Sequence, residues 1–126
     1  MKREKGSEKE ALLCEAGLWK NSLENILQEN SSFKTMLAKV LDENNSKAFL
    51  ALAEDFQNSF ISKDELLKEL LGDVSAQNAL VNKRYILNDV TLIKHQKLRN
   101  EINHFEKNFA NLRLVFTQFL ANHLQN

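Results

Sequence analysis

Apolar side chains recur every three or four residues along three long stretches of this chain. The most regular stretch is the last, residues 95–124, in which steps of four and three residues alternate. This alternation averages about 3.5 residues, which keeps one stripe of a helix turned towards one partner. The stripe consists of Leu98, Ile102, Phe105, Phe109, Leu112, Phe116 and Phe119. We therefore expect the rest of the chain to cover a long C-terminal helix.

The two upstream stretches have the same spacing and predict helices over residues 8–43 and 47–82. Gly72 could end the second helix as a C-cap, and a kink there is the alternative to a continuous helix. The heptad spacing passes through Gly72 without slipping, which favours one helix. The first stripe is Leu12, Ala16, Trp19, Leu23, Ile26, Asn30, Phe33, Leu37 and Val40. The second is Phe49, Ala53, Phe56, Phe60, Lys63, Leu67, Leu70, Val74, Gln77 and Val81.

Short polar residues mark the predicted helix ends. Ser7 and Glu10 have the spacing of a capping box, which places the start of the first helix there. The run 44–46, Asn-Asn-Ser, is typical of a turn followed by a helix cap. Asn88 and Asp89 are expected to cap the third helix.

The pattern as a whole predicts an all-α fold in a single domain over residues 1–126. Three helices of similar length joined by short turns must run up, down and up. The third covers residues 88–123, and residues 1–7 are expected to be disordered because they offer nothing to bury. The chain contains no proline, so little interrupts long helices. We expect an elongated antiparallel three-helix bundle of coiled-coil type, with helices about 54 Å long.

Composition narrows the range of partners. Lys plus Arg and Asp plus Glu both number 17, so the formal net charge is zero. A neutral chain does not attract nucleic acid or an anionic membrane surface through bulk charge. No secretory signal or membrane span is visible, and the single Cys14 suits a reducing compartment. We therefore expect a cytoplasmic protein that binds neither nucleic acid nor membrane.

No group of residues predicts a catalytic, cofactor or metal site. Glu101 and His104 form a Glu-x-x-His pair, but a di-iron bundle site needs two such pairs and two more glutamates. His95 and His123 fall on the stripe of the third helix, and we interpret them as partly exposed, hydrogen-bonded end residues. No carboxylate, Ser or Cys is spaced in sequence to work with either of them. Cys14 has no basic neighbour and is interpreted as an idle surface thiol.

Residues outside the stripes are candidates for contacts with other proteins. Ile61, Ile86, Val90 and Ile93 form this candidate interaction surface. The last three lie off the stripe counted back from Leu98, so either the third helix starts later or these residues pack under the chain end.

Asn30 is a candidate specificity residue, because it is the one polar member of the first stripe. Antiparallel pairing places it level with Ser59 and Phe60, and Ser59 could hydrogen-bond to its amide. The alternative is that Asn30 reaches water.

Several short segments resemble a family of small, uncharacterised bacterial helical coiled-coil proteins to which no activity is assigned. These segments are Leu18-Trp19-Lys20 with Leu23, Ile26 and Leu27; residues 54–61; and Leu98-Arg99, Phe105-Glu106-Lys107, Phe116 and Phe119-Leu120. Members of that family usually carry a proline near the second turn, which this chain lacks. The resemblance implies a helical bundle and adds no activity.

These features favour a helical scaffold or interaction protein over an enzyme. Such a protein would bind a partner of unknown identity, or a second copy of itself as a homodimer, through helix–helix contacts. The alternative is a metal- or ligand-binding bundle with enzymatic activity at Glu101 and His104.

Overall fold

A computed structural model describes residues 5–44, 46–83 and 87–124 of the chain, and these residues form three α-helices. Helix α1 spans Lys5–Glu43, α2 spans Lys47–Lys83 and α3 spans Asp89–Leu124. No strand occurs among the described residues. With 36 to 39 residues each, the helices are about 54–58 Å long. The predicted all-α three-helix bundle is therefore confirmed.

Helix α1 begins earlier than its capping signal predicts. Ser7 lies inside α1, so it is not the N-cap, and residues 5–7 are helical although the sequence predicts disorder there. No proline blocks the helix here, and α1 extends back to Lys5 even though Gly6 is a poor helix former.

Side chains that the sequence predicts as caps hold the starts of α2 and α3. The side-chain oxygen of Asn44 accepts a hydrogen bond from the backbone N–H of Ser46 at 3.1 Å. The hydroxyl of Ser46 then accepts one from the N–H of Phe49 at 3.3 Å, which caps α2. In the same way Asn88 accepts from the N–H of Thr91 at 2.9 Å and caps α3. These bonds satisfy N–H groups that have no partner inside the helix.

Helix α2 is continuous through Gly72. Neither Gly72 nor any other described residue has a positive φ, so Gly72 is not a C-cap. It lies on the exposed side of α2, and a Cβ added there would meet nothing within 4 Å. The heptad spacing therefore predicts the continuity of α2 correctly, and the alternative of a C-cap at Gly72 is wrong.

Cross-helix contacts define the directions of the helices. On α1 and α2, Asn30 contacts both Phe60 and Asp64, near the middle of two helices joined by a short turn. Such contacts require α1 and α2 to be antiparallel. On α2 and α3, the rings of Phe56 and Phe119 lie 4.8 Å apart, which shows the same relation. It follows that α1 and α3 run parallel.

A cluster of phenylalanine rings fills the centre of the bundle. The ring of Phe116 lies 5.1, 5.2 and 4.9 Å from those of Phe33, Phe56 and Phe60. Phe109, also fully buried, stacks on Phe33 at 6.0 Å. All three helices contribute to this cluster. Burying each such ring stabilises the fold by about 1.5–3 kcal/mol.

The first turns of α3 continue the core stripe with polar residues. Thr91 and His95 are each only 1% exposed, whereas Val90 and Ile93 are 60% and 67% exposed. Neither alternative for Val90 and Ile93 is therefore right, because α3 does start at Asp89 and they do not pack under the chain end. The core here is polar, and the apolar residues point outwards.

Candidate functional site

Polar and charged side chains bridge the middle parts of α1 and α3. Each lies beside the core stripe, one position before it on α1 and one after it on α3. In three of these bridges the partners are 84 residues apart in sequence. They are Glu15–Arg99, Ser22–Glu106 and Glu29–Arg113. We call these three pairs the α1–α3 ladder.

The two arginine pairs of the ladder are bidentate. Arg99 donates from Nε to Glu15 Oε2 at 2.6 Å and from Nη2 to Oε1 at 2.7 Å. Arg113 makes the same two contacts to Glu29. Hydrogen bonds from Arg99 lower the pKa of Glu15, burial opposes them, and His95 adds to the lowering. The two-point contact attracts the side chains to each other and also fixes their relative orientation, and with it the alignment of the two helices.

His95 of α3 lies in the core and touches both other helices. Its Nε2 is 3.0 Å from Glu15 Oε1 on α1, and its Nδ1 is 3.4 Å from Gln77 Nε2 on α2. Gln77 also donates to the backbone carbonyl of Thr91 at 3.2 Å. Trp19 of α1 covers the imidazole, with the ring centroids 4.7 Å apart. We call Glu15, Trp19, Gln77, Thr91 and His95 the polar core cluster.

The polar core cluster corrects the interpretation of His95 from the sequence. His95 is not a partly exposed end residue, and a carboxylate does reach it, because Glu15 approaches across the bundle from 80 residues away. The sequence places Glu15 at the edge of the α1 stripe, one position before the core residue Ala16, but it does not say which helix that edge meets. His123, by contrast, is half-buried and packs its ring on Phe49 at 4.8 Å.

Asn30 is fully buried and binds α2, as its place in the stripe predicts. Its amide nitrogen donates to the carbonyl of Phe60 at 2.9 Å and to Asp64 Oδ1 at 2.8 Å. The predicted partner Ser59 was wrong, and so was the alternative that Asn30 reaches water. Lys34 closes the group by pairing with the other oxygen of Asp64.

The carboxyl of Asp64 has a lowered pKa. Burial raises this pKa, but hydrogen bonds from Lys34 and Asn30 and the positive charges of Lys34 and Lys68 lower it, and the net shift is downward. In this group the side-chain oxygen of Asn30 is buried and has no hydrogen-bond partner. A group of this kind is costly to bury, so it serves orientation better than stability.

The α2–α3 seam differs from the α1–α3 ladder. No ion pair crosses it within the described ranges, and two open grooves run along it. The larger has a volume of about 410 Å³ and is named here the α2–α3 groove. Its lining residues are Leu52, Asp55, Phe56, Ser59, Lys63, Asn108, Asn111, Leu112 and Val115.

The α2–α3 groove has an apolar floor and an apolar rim at one end. Phe56 and Leu112 are half-buried and pack against the core beneath it. Leu52 and Val115 stand on the rim with 49% and 45% of their surface exposed. Lys63 lies further along, its ammonium 5.6 Å from the ring centre of Phe105. The groove therefore offers apolar surface with a few polar groups beside it.

The residues predicted as an interaction surface lie in separate places. Ile61 is exposed and lines a smaller groove, of about 250 Å³, between α1 and α2. Val90 and Ile93 are exposed near the start of α3. Ile86 lies outside the described residues. Sequence reasoning did not find Leu52 and Val115, although both fall on the edges of the stripes of α2 and α3.

The residues considered for catalysis are on the surface. Glu101 and His104 are exposed, and His104 Nε2 is 3.2 Å from the amide nitrogen of Asn108. Cys14 is exposed as predicted. In the part of the chain that the structure describes, no three His, Cys, Asp or Glu side chains come together as metal ligands.

Within the same residues, none of the three helices has a stretch apolar and long enough to span a bilayer. Comparison of the chain with protein-family models, with curated proteins and with solved structures gives no match.

Proposed function

We propose that this protein is a non-enzymatic interaction protein whose α2–α3 groove receives one amphipathic helix. The observation that carries the proposal is the pairing of exposed Leu52 and Val115 above the half-buried Phe56 and Leu112. A helix placed there would bury these four side chains and complete a four-helix arrangement.

The contrast between the seams supports this choice of groove. Charged pairs cover the α1–α3 contact, whereas the α2–α3 contact leaves large apolar side chains facing solvent. Apolar side chains that line a groove together gain more from a partner than scattered ones do. The polar neighbours Asp55 and Lys63 would then set the direction of the bound helix.

The exposed thiol of Cys14 suits a protein that works in a reducing compartment, and we propose the cytoplasm. The bound helix comes either from another protein or from a second copy of this chain.

The test introduces a negative charge into the groove and, as a control, the same charge on the surface of α1 outside the groove. Leu52→Asp and Val115→Asp change exposed side chains, so circular dichroism should show the helix content of the wild type. Leu18→Asp on α1 is the control, because Leu18 is 63% exposed and lies outside the groove. A photo-crosslinking amino acid at position 52 identifies a partner captured at the groove, and the same amino acid at position 18 is its control. Mass across a concentration series, measured by light scattering, detects a second copy.

We expect position 52 to capture a helix that position 18 does not capture. With that partner purified, each groove variant should weaken binding by about tenfold or more, as at interface hot spots, and Leu18→Asp should not. Equal capture at both positions, or full binding by Val115→Asp, would contradict the proposal. So would a chain that stays monomeric at all concentrations and captures nothing at position 52.

A further inference from the structure

The buried imidazole of His95 has a fixed neighbour at each of its two nitrogens. Nε2 lies 3.0 Å from the carboxylate of Glu15, and Nδ1 lies 3.4 Å from the amide nitrogen of Gln77. The ring is almost fully shielded from water. Its protonation state therefore depends on groups that belong to α1 and α2.

The position of its proton follows from the backbone of Thr91. A carbonyl oxygen can only accept, so Gln77 must turn its NH₂ group towards Thr91, with the nitrogen and oxygen 3.2 Å apart. The same NH₂ group faces Nδ1 of His95, which must then be an acceptor. The proton of the neutral ring is left on Nε2, where it is donated to Glu15.

A second proton on His95 would make Nδ1 a donor as well. It would then face the NH₂ group of Gln77, and two donors would oppose each other. Rotating the Gln77 amide would let its oxygen accept from Nδ1, but that oxygen would also face the carbonyl of Thr91. A proton on Nδ1 and the Gln77–Thr91 hydrogen bond therefore exclude one another.

We propose that His95 is an acid-operated latch: protonation of Nδ1 breaks the Gln77–Thr91 bond and loosens the start of α3 from α2. The bond joins α2 to the first turn of α3, close to the cap at Asn88. Opening is thus confined to one end of the bundle.

The charged groups around His95 come from all three helices. Glu15 of α1 attracts an imidazolium, while Arg99 of α3, bonded to the same carboxylate, repels it. The groove next to Gln77 adds Asp73 from α2 and Lys94, Lys97 and Glu101 from α3, two charges of each sign. Positive and negative charges around His95 are therefore nearly balanced. The specific cost of protonating Nδ1 is that its N–H would face the NH₂ group of Gln77.

Nuclear magnetic resonance of the full chain tests the latch. The imidazole ¹⁵N signals of His95 at neutral pH should show Nδ1 without a proton and Nε2 with one. On acidification, the amide protons of Thr91 and Leu92 should lose protection from hydrogen exchange by about tenfold, the usual consequence of losing one buried hydrogen bond. Exchange is compared as protection relative to an unstructured chain, so the intrinsic pH dependence cancels. The loss should follow the same midpoint as the His95 ring signal.

Two variants separate the latch from general acid sensitivity. His95→Gln should remove the step in protection, and His104→Gln, which changes an exposed histidine of the same helix, should leave it unchanged. The proposal is overturned if Nδ1 carries the proton at neutral pH. It is also overturned if protection at Thr91 persists through the titration of His95, or if the step survives in His95→Gln. The ring signals come from the wild type, so they decide the question even if His95→Gln does not fold.

Discussion

Arg113 binds Glu29 through two hydrogen bonds of 2.7 Å, from Nε to Oε2 and from Nη2 to Oε1. The two residues belong to helices that share no turn, so the contact holds α1 and α3 in one register. The pKa of Arg113 is raised, chiefly by these hydrogen bonds, with burial working the other way. Both side chains remain more than one-third exposed, so solvent weakens the attraction.

Exchanging the two charges tests this pair. Glu29→Arg and Arg113→Glu each place like charges together, and each should lower the free energy of unfolding by about 1 kcal/mol. The double variant should recover most of the loss. Urea denaturation measures all three, with Glu24→Arg, a change at an exposed glutamate of α1, as the control. Losses that simply add would show that the pair makes no contact in solution.

Acid should weaken the fold through Glu15 and Asp64. Hydrogen bonds from Arg99, against burial, lower the pKa of Glu15. At Asp64 burial raises the pKa, but hydrogen bonds from Lys34 and Asn30 and the charges of Lys34 and Lys68 lower it on balance. A lowered pKa contributes stability that is full above the ordinary values of 4.5 and 3.8 and is lost as the pH falls through the lowered values.

Glu15→Gln and Asp64→Asn should therefore be less stable than the wild type at neutral pH and should lose less on acidification from about pH 5 to about pH 3. Thermal denaturation across that range measures the difference. A slope as steep as that of the wild type in both variants would assign the acid sensitivity to other carboxyls.

Gly72→Ala should stabilise α2. The glycine has no positive φ, and a Cβ there has open space around it. Alanine in the middle of a helix is favoured over glycine by about 0.5–1 kcal/mol. Gly17→Ala in α1 meets the same conditions and should give a similar gain in thermal denaturation. A destabilised Gly72→Ala would mean that α2 bends at this residue.

Phe109→Ala should be among the most damaging single changes. Phe109 is fully buried and stacks on Phe33 and Phe105. Truncating a buried phenylalanine costs about 3–5 kcal/mol, a large part of the stability of a typical domain. Val115→Ala, on the exposed side of the same helix, is the control and should cost far less in chemical denaturation. A loss below about 1 kcal/mol for Phe109→Ala would place this ring outside the core.

Asn30→Leu should raise the stability of the fold by about 1 kcal/mol, because it removes a buried oxygen that has no partner. Asp64 would keep Lys34 as its partner. If Asn30 also sets specificity, the variant should populate more than one oligomeric state in light scattering. Asn25→Leu adds an apolar side chain on the exposed face of α1, so it controls for non-specific association. A stabilised variant of unchanged mass would limit Asn30 to a local role.

The spacing of apolar residues predicted the three helices and most of the core, because the period decides which side of a helix is buried. It predicted Phe109 and Asn30 as core residues for that reason. It could not predict the neighbours of Glu15 or Leu52, which lie at the edges of a stripe. A three-helix bundle can be left-handed or right-handed, and its handedness decides whether the Glu15 edge of α1 meets α2 or α3.

Two errors have the same origin. The level of Ser59 along the bundle predicts it as the partner of Asn30. Asp64, however, lies on the edge of α2 that faces α1, and it accepts the hydrogen bond from Asn30 instead. His95 was judged by the residues near it in sequence, whereas its partner Glu15 comes from another helix.

The α1–α3 ladder also restricts the register between two helices, which a heptad repeat alone leaves ambiguous. A helix with this periodicity can slide by seven residues and still present apolar side chains to its partner. Sliding α3 by seven residues in one direction would set Glu106 opposite Glu15, and in the other direction opposite Glu29. Either shift brings two carboxylates together; the second also leaves both arginines without a glutamate, whereas the first sets Arg99 opposite Glu8. Glu106, in the middle of the ladder, would be repelled by Glu15 or by Glu29 in the two shifted registers, so it favours the observed one.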